Sequence, residues 1–212
     1  MLGLILAKVP GKPFGQFLHE RFFQPLHMSH TLAYVNGKNT VPNRVWTHER
    51  GARFIEMDQS PTSATLGDGG IYSNLEDLAK WDRARESHTL LSEAEMRAAL
   101  TPVRLNDGSE PHWPVNPNGD NLHPGQPVSY GFGWLLDPFE GRPRMWHTGG
   151  TMGFRTVIER FTTEKLTIVV LCNRTDPDRR NLRFGCGSSC AKSKTDARHP
   201  GAAERLARLS HF

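Results

Sequence analysis

The run in this 212-residue chain whose residue types most invite chemistry is His147-Thr148-Gly149-Gly150, placed between Trp146 and Phe154 at the end of a predicted strand. Two residues without Cβ atoms let a ligand lie close against an exposed strand edge, where backbone N–H groups can receive an oxyanion or pair with an extended substrate. His147 and Thr148 add side chains able to hydrogen-bond a carboxylate or assist proton movement. The same four residues also suit a hairpin turn after an ordinary strand. By themselves they leave both readings open.

Metal chemistry finds less support. The three cysteines, Cys172, Cys186 and Cys190, all fall near or in the C-terminal portion. Cys186 and Cys190 lack a second pair of ligands at zinc spacing, and no paired cysteine framework crosses the rest of the sequence. His27, His30, His48 and His123 show neither His-x-x-x-His spacing nor carboxylate pairing on a predicted helix, so they read as loop or surface residues. No metal and no cofactor is expected.

The elements that must position the His147 run can be read from periodicity. Met1 to Lys8 is apolar without a capping residue before it, as the last turns of a helix begun upstream would be. It has no basic leader and no small-residue cleavage site, so no signal peptide is read there and the compartment stays unassigned. Pro13 fits a first helical turn, Phe14, Phe17, Leu18 and Phe22 form one apolar stripe, and Pro25 is expected to stop that helix. Long loops follow to about Ser60, with short strands around Arg44 to Trp46 and Arg53 to Ile55. Ser73 and Glu76 have capping-box spacing ahead of a helix from about Leu75 to Arg85, and Ser92 with Glu95 repeats the device before Met96 and Leu100. Residues 101 to 127, rich in Pro, Asn and Gly, form a loop or hairpin insertion.

From Ser129 the pattern becomes β. Strands are expected over Tyr130 to Leu136, Arg144 to Thr148, Phe154 to Phe161 and Leu166 to Leu171. Glu140-Gly141, Gly149-Gly150 and Thr163-Glu164-Lys165 supply the turns between them. Helices first and an antiparallel sheet last make an α+β domain.

Taken in order, these segments resemble the β-lactamase-related serine hydrolases: class C β-lactamases, DD-carboxypeptidases and related esterases. Gly11-Lys12-Pro13-Phe14 with Pro25-Leu26-His27-Met28 resembles the family's Gly-Lys-x-Phe…Pro-Leu-Gly-Met segment, with His27 where glycine is usual. Gly69-Gly70-Ile71-Tyr72-Ser73-Asn74-Leu75-Glu76-Asp77-Leu78-Ala79-Lys80-Trp81 is similar to its Gly-Gly…Ser-x-x-Asp-Leu-x-x-Trp run. Tyr130-Gly131-Phe132-Gly133-Trp134 resembles the strand before the active site, His147-Thr148-Gly149-Gly150 the third motif, and Val169-Val170-Leu171-Cys172-Asn173 the last core strand. The resemblance implies a serine in Ser-x-x-Lys that attacks a carbonyl, with the lysine and a Tyr-x-Asn tyrosine managing its proton. It implies that His147 takes the first position of the third motif, that Thr148 contacts substrate, and that the Gly150 N–H forms half of an oxyanion hole.

Two matches to the missing motifs do not supply them. Ser189-Cys190-Ala191-Lys192 fits Ser-x-x-Lys, but roughly 0.4 such matches arise by chance at this composition, and it follows the third motif instead of preceding it. Tyr72-Ser73-Asn74 fits Tyr-x-Asn but belongs to the later run, where Ser73 has a capping job. The chain is therefore read as a truncated β-lactamase/transpeptidase-like domain over residues 1 to 173, lacking its nucleophile and inactive alone. The family would hydrolyse an ester, amide or β-lactam of a small molecule or peptide through an acyl-serine. The alternative is a noncatalytic module that holds a ligand in the groove beside His147.

Composition adds one division. A hydrophobic fraction of 37% and a charged fraction of 23% suit a globular chain. No run approaches the roughly 20 apolar residues of a membrane span. Residues 174 to 212 carry nine Lys/Arg and four Asp/Glu, against 17 basic and 18 acidic residues in 1 to 173. The formal charge of +4 therefore resides in the tail, which is expected to be disordered or frameshifted solvated chain and not a nucleic-acid arm. Nothing in the sequence fixes an oligomeric state.

Overall fold

A computed structural model describes residues 2–50, 54–57, 66–113, 115 and 125–174. The expectations for the tail, including Cys186, Cys190 and Ser189-x-x-Lys192, lie outside the described residues, as does His123.

Helix α1 spans Leu2–Lys8 and α2 spans Phe14–Leu18. Pro13 stands at the N-cap of α2 with extended ψ of 140°, one step before the first turn in which it was expected. The apolar stripe continues beyond α2 through a π turn, His19–Phe23, instead of staying α-helical to Phe22. Pro25 has no N–H to donate and its ring crowds the carbonyl four residues back, so the backbone widens just ahead of it.

Closure of this segment comes two residues after Pro25. The Met28 N–H donates to Phe23 O at 2.8 Å and the His27 N–H to Gln24 O at 3.0 Å. That is a Schellman arrangement, and His27 occupies its left-handed position with φ of 56°. Glycine adopts this conformation without a Cβ penalty, which accounts for its usual presence there; histidine tolerates it at a cost. Met28 and Phe23, which flank the closure, are both buried in one cluster with Leu26 and Ala84.

Strand β1 (Leu32–Ala33) pairs antiparallel with β4 (Ile71–Tyr72), and β2 (Thr47–Arg50) with β3 (Phe54–Met57). The second pair lies near the expected positions, displaced toward the C-terminus. Helix α3, Leu75–Glu86, begins at Asn74, whose side-chain oxygen accepts the Asp77 N–H at 2.8 Å. Ser73 is thereby relieved of the capping role expected of it and shares a 2.8 Å hydrogen bond with Thr31. Helix α4, Glu93–Ala99, carries the full Ser92/Glu95 capping box.

The main sheet is β5 (Arg144–Thr151), β6 (Phe154–Phe161) and β7 (Leu166–Cys172), antiparallel in that order. Met145, Trp146, Val157, Phe161 and Ile168 are its buried apolar side chains, with Leu135 against them. Gly149-Gly150 is not a turn: β5 runs on through Thr151, and the reversal falls at Met152-Gly153. Gly153 is needed there, because its φ is 74° and a Cβ would run into the buried Thr47.

Helix α3 is tied to the sheet by charge. Arg160 of β6 donates to Asp82 at 2.7 Å and approaches Glu86 at 3.0 Å, while Thr167 of β7 donates to Asp82 at 2.9 Å. The Arg85 guanidinium beside them has its pKa lowered, first by burial and then by the neighbouring Arg160.

The expected strand over Tyr130 to Leu136 folds back on itself. Leu136 N–H bonds to Ser129 O at 2.9 Å, Tyr130 faces Leu135, and Gly131 N–H bonds to Trp134 O at 2.8 Å. Phe132 N–H donates to Ala99 O, and a Cβ on Gly131 would strike that same carbonyl. The glycines that looked like strand residues serve this close approach and the reversal at Phe132-Gly133.

Candidate active-site strand

Strand β5 is anchored at its start. Arg144 is buried and donates to Glu159 Oε1 at 2.7 Å across the sheet, and also to the carboxylate of Asp137. Trp146 Nε1 donates to the other oxygen of the same Asp137. One carboxylate thus fixes both the arginine and the indole that precede His147. Charge-assisted bonds of this kind hold a strand end more firmly than neutral ones.

The orientation of the motif follows from that anchor. Trp146 N–H donates to Leu135 O and Leu135 N–H to Trp146 O, each at 2.9 Å, so the main-chain groups of Trp146 point away from β6. Along a strand these directions alternate, so Thr148 and Gly150 turn theirs to the same side. His147 and Gly149 are directed instead toward Ile158 and Thr156 of β6. Among the described residues the Leu135 bridge reaches Trp146, and no strand pairs with β5 at Thr148 or beyond on that side. The Gly150 N–H accordingly faces a sheet edge.

His147 is exposed and held at both ring nitrogens. Nδ1 lies 2.8 Å from Thr148 O, and Nε2 lies 3.1 Å from the Tyr130 hydroxyl. The two rings meet edge to face at 6.1 Å between centroids. Gly149 presents no side chain because Thr156 Oγ1 occupies the place its Cβ would take. The structure thus brings His147, Thr148, Gly149 and Gly150 onto one extended strand, with alternating faces and an edge on one side. Tyr130 joins them although sequence reasoning gave it no site role; 17 residues and a reversal separate it from His147, and no local spacing encodes the contact.

The Tyr72-Ser73-Asn74 match has structural employment. Tyr72 accepts from Arg44 Nη2 at 2.8 Å and packs edge to face on Phe154, while Asn74 is the α3 cap. His30 lends its backbone N–H to Asp77, and His27 sits in the Schellman closure. No group of three or more His, Cys, Asp or Glu residues that could hold a metal occurs among the described residues. No helix among them is long and apolar enough to cross a membrane. A concavity lined by Leu100, Leu136, Pro143 and Met145 lies toward the other end of β5, and its polar side chains, Arg144 and Thr162, are bonded to Glu159 and to the Pro143 carbonyl.

Known proteins align with this arrangement. A penicillin-binding protein of Bacillus subtilis (strain 168) is 26% identical over 190 residues, covering 82% of this chain and 38% of its own length. The D-alanyl-D-alanine-carboxypeptidase/endopeptidase AmpH of Escherichia coli (strain K12) is 28% identical over 198 residues, covering 87% of this chain and 46% of its own. The crystal structure of a penicillin-binding protein from Bacillus halodurans superposes with a TM-score of 0.66 at 18% identity, over 88% of this chain and 53% of that one. The chain thus spans about half the length, or less, of the curated relatives it matches. The family model described as Beta-lactamase matches residues 1–184. With its α+β fold and its segments in the family's order, the chain belongs to the beta-lactamase family of serine hydrolases.

Proposed function

We propose that residues 1 to 173 form the substrate-holding part of an acyl-serine hydrolase whose nucleophile lies on a segment outside these 212 residues. The observation that carries this reading is the direction of β5: Thr148 and Gly150 turn their main-chain groups to the sheet edge beside an oriented His147. An extended acyl substrate would add to that edge by backbone pairing, with Thr148 bonding its polar tail. The Gly150 N–H would donate to the developing oxyanion, where preorganised donors contribute most in acyl transfer. The second donor would come with the serine itself. Ester, amide and β-lactam carbonyls all pass through this tetrahedral geometry, and the names of the relatives, carboxypeptidase and penicillin-binding protein, favour a peptide or penicillin-like acyl group.

A serine-directed covalent probe tests this. The 212-residue chain is expected to stay unlabelled, and a chain extended upstream to include Ser-x-x-Lys and Tyr-x-Asn to be labelled at that serine. Labelling of the short chain, or an extended sequence with neither motif, sinks the proposal. Binding of a peptide carboxylate by the short chain, lost on His147→Ala, would instead favour the ligand-holding module.

A further inference from the structure

We infer that Tyr130 is a positioning residue for His147, fixing its neutral imidazole as the Nδ1–H tautomer with Nε2 as a hydrogen-bond acceptor. The importance of that ring for a substrate rests on the function proposed above; the tautomer does not.

The assignment follows from what each partner is able to do. His147 Nδ1 lies 2.8 Å from the Thr148 carbonyl oxygen, which has no proton to give. Nδ1 must therefore carry the proton. A neutral imidazole with Nδ1 protonated has a bare Nε2 that only accepts, so the Tyr130 hydroxyl 3.1 Å away must donate to it. An imidazole without such a pair exchanges tautomers and rotates. Here the ring is clamped from two elements.

The backbone explains why the phenol stands where it does. Tyr130 pairs with Leu135 in the short hairpin, and Leu135 pairs with Trp146, the residue before His147. The Tyr130 carbonyl also accepts the Val103 N–H at 2.8 Å. The hydroxyl is thus registered to the imidazole by main-chain bonds, and that register persists whatever the hydroxyl does. The hairpin that replaced the expected strand thereby brings a donor to His147 from the side opposite β6. A ring so held cannot offer Nε2–H to a carboxylate while neutral, so recognition of an anionic group falls to Thr148 and the backbone.

The test is the ¹⁵N spectrum of the His147 ring in the 212-residue chain, followed through a pH series whose alkaline limit gives the neutral ring. The wild type is expected to show a protonated Nδ1 and a bare Nε2. Tyr130→Phe removes only the donor, and is expected to move the Nε2 resonance toward that of a free acceptor and raise the share of the Nε2–H tautomer. An Nε2–H pattern in the wild type, or a spectrum unchanged in Tyr130→Phe, overturns the inference. Should Tyr130→Phe fail to fold, 3-fluorotyrosine at the three tyrosines, read at about pH 7.5 so that the more acidic phenol keeps its proton, supplies a stronger donor with the ring retained, and an unmoved Nε2 signal would again overturn it. In the upstream-extended chain, Tyr130→Phe is expected to lower kcat by about 10- to 100-fold with little change in KM, the scale of a misoriented group at a reacting centre. An extended chain inactive as wild type would count against the hydrolase reading, while the ring spectra would still decide the tautomer.

Discussion

At the scale of single residues, the His147 run works through what its glycines omit. A side chain at 149 would enter the space of Thr156 Oγ1 on β6, so the absence of a Cβ is a packing requirement of the sheet as well as an opening to ligand. Gly149→Ala should therefore lower stability by about 1–3 kcal/mol through overpacking. Removing the obstacle tests the cause: Gly149→Ala combined with Thr156→Ala should recover most of that loss, because the two sites share one contact and their effects cannot add. Urea unfolding of the two single variants and the double variant measures the coupling. Additive losses would mean that the glycine is needed for its backbone and not for the space. The motif was legible in the sequence only together with the segments around it; the Thr156 contact was not, since it depends on a cross-strand register that no local pattern states.

Among elements, α3 has the burden of joining the N-terminal half to the sheet, and Asp77 shows how. Its carboxylate is fully buried and accepts from the His30 N–H at 2.8 Å, Thr31 Oγ1 at 2.9 Å and Lys80 Nζ at 2.8 Å. Burial alone would raise its pKa, but the bonds from Lys80, Thr31 and His30 outweigh that and hold it below the ordinary 3.8. A carboxyl with a folded pKa below its unfolded one contributes stability that is present above the unfolded value and lost as pH falls through the folded value. The loss from Asp77 is therefore confined to pH below about 4. Asp77→Asn keeps the shape but removes the charge, and should cost about 2–4 kcal/mol at pH 7 by weakening three bonds and leaving Lys80 without its counter-charge. Thermal unfolding between pH 2.5 and 7 checks both parts: wild type and variant should converge in acid and separate above pH 4, and a constant gap would show that the charge is not what matters. The α3 and α4 helices were legible because capping residues and an apolar period announce them. The displaced cap at Asn74 and the Tyr130–Leu135 hairpin were not, for each is settled by a partner far along the chain: the Thr31 hydroxyl draws Ser73 away, and the Ala99 carbonyl receives Phe132. The π turn has its cause nearby in Pro25, which the sequence pattern shows as a stop and not as a widened turn.

For the molecule as a whole, charge is divided as unevenly as pattern. Residues 1 to 173 hold 17 basic and 18 acidic groups, and those on α3 and the sheet are largely committed to one another, as in Arg160 with Asp82 and Glu86 or Arg144 with Glu159. The nine basic and four acidic residues after Asn173 provide the whole excess. Any attraction of this chain for a polyanion should thus come from the tail and fall steeply with salt, since phosphate contacts by Lys and Arg act through released counterions. A chain ending at Asn173 should lose retention on heparin at low salt, whereas the full chain should be retained and elute as salt rises. The His147 ring spectrum and the urea midpoint should be the same in both, because β7 ends at Cys172 and Asn173 already closes against the Trp46 carbonyl at 2.9 Å. A truncated chain that keeps its heparin retention would locate the basic surface in the domain, and one that loses its urea midpoint would extend the folding unit beyond Asn173, toward the end of the family match at residue 184.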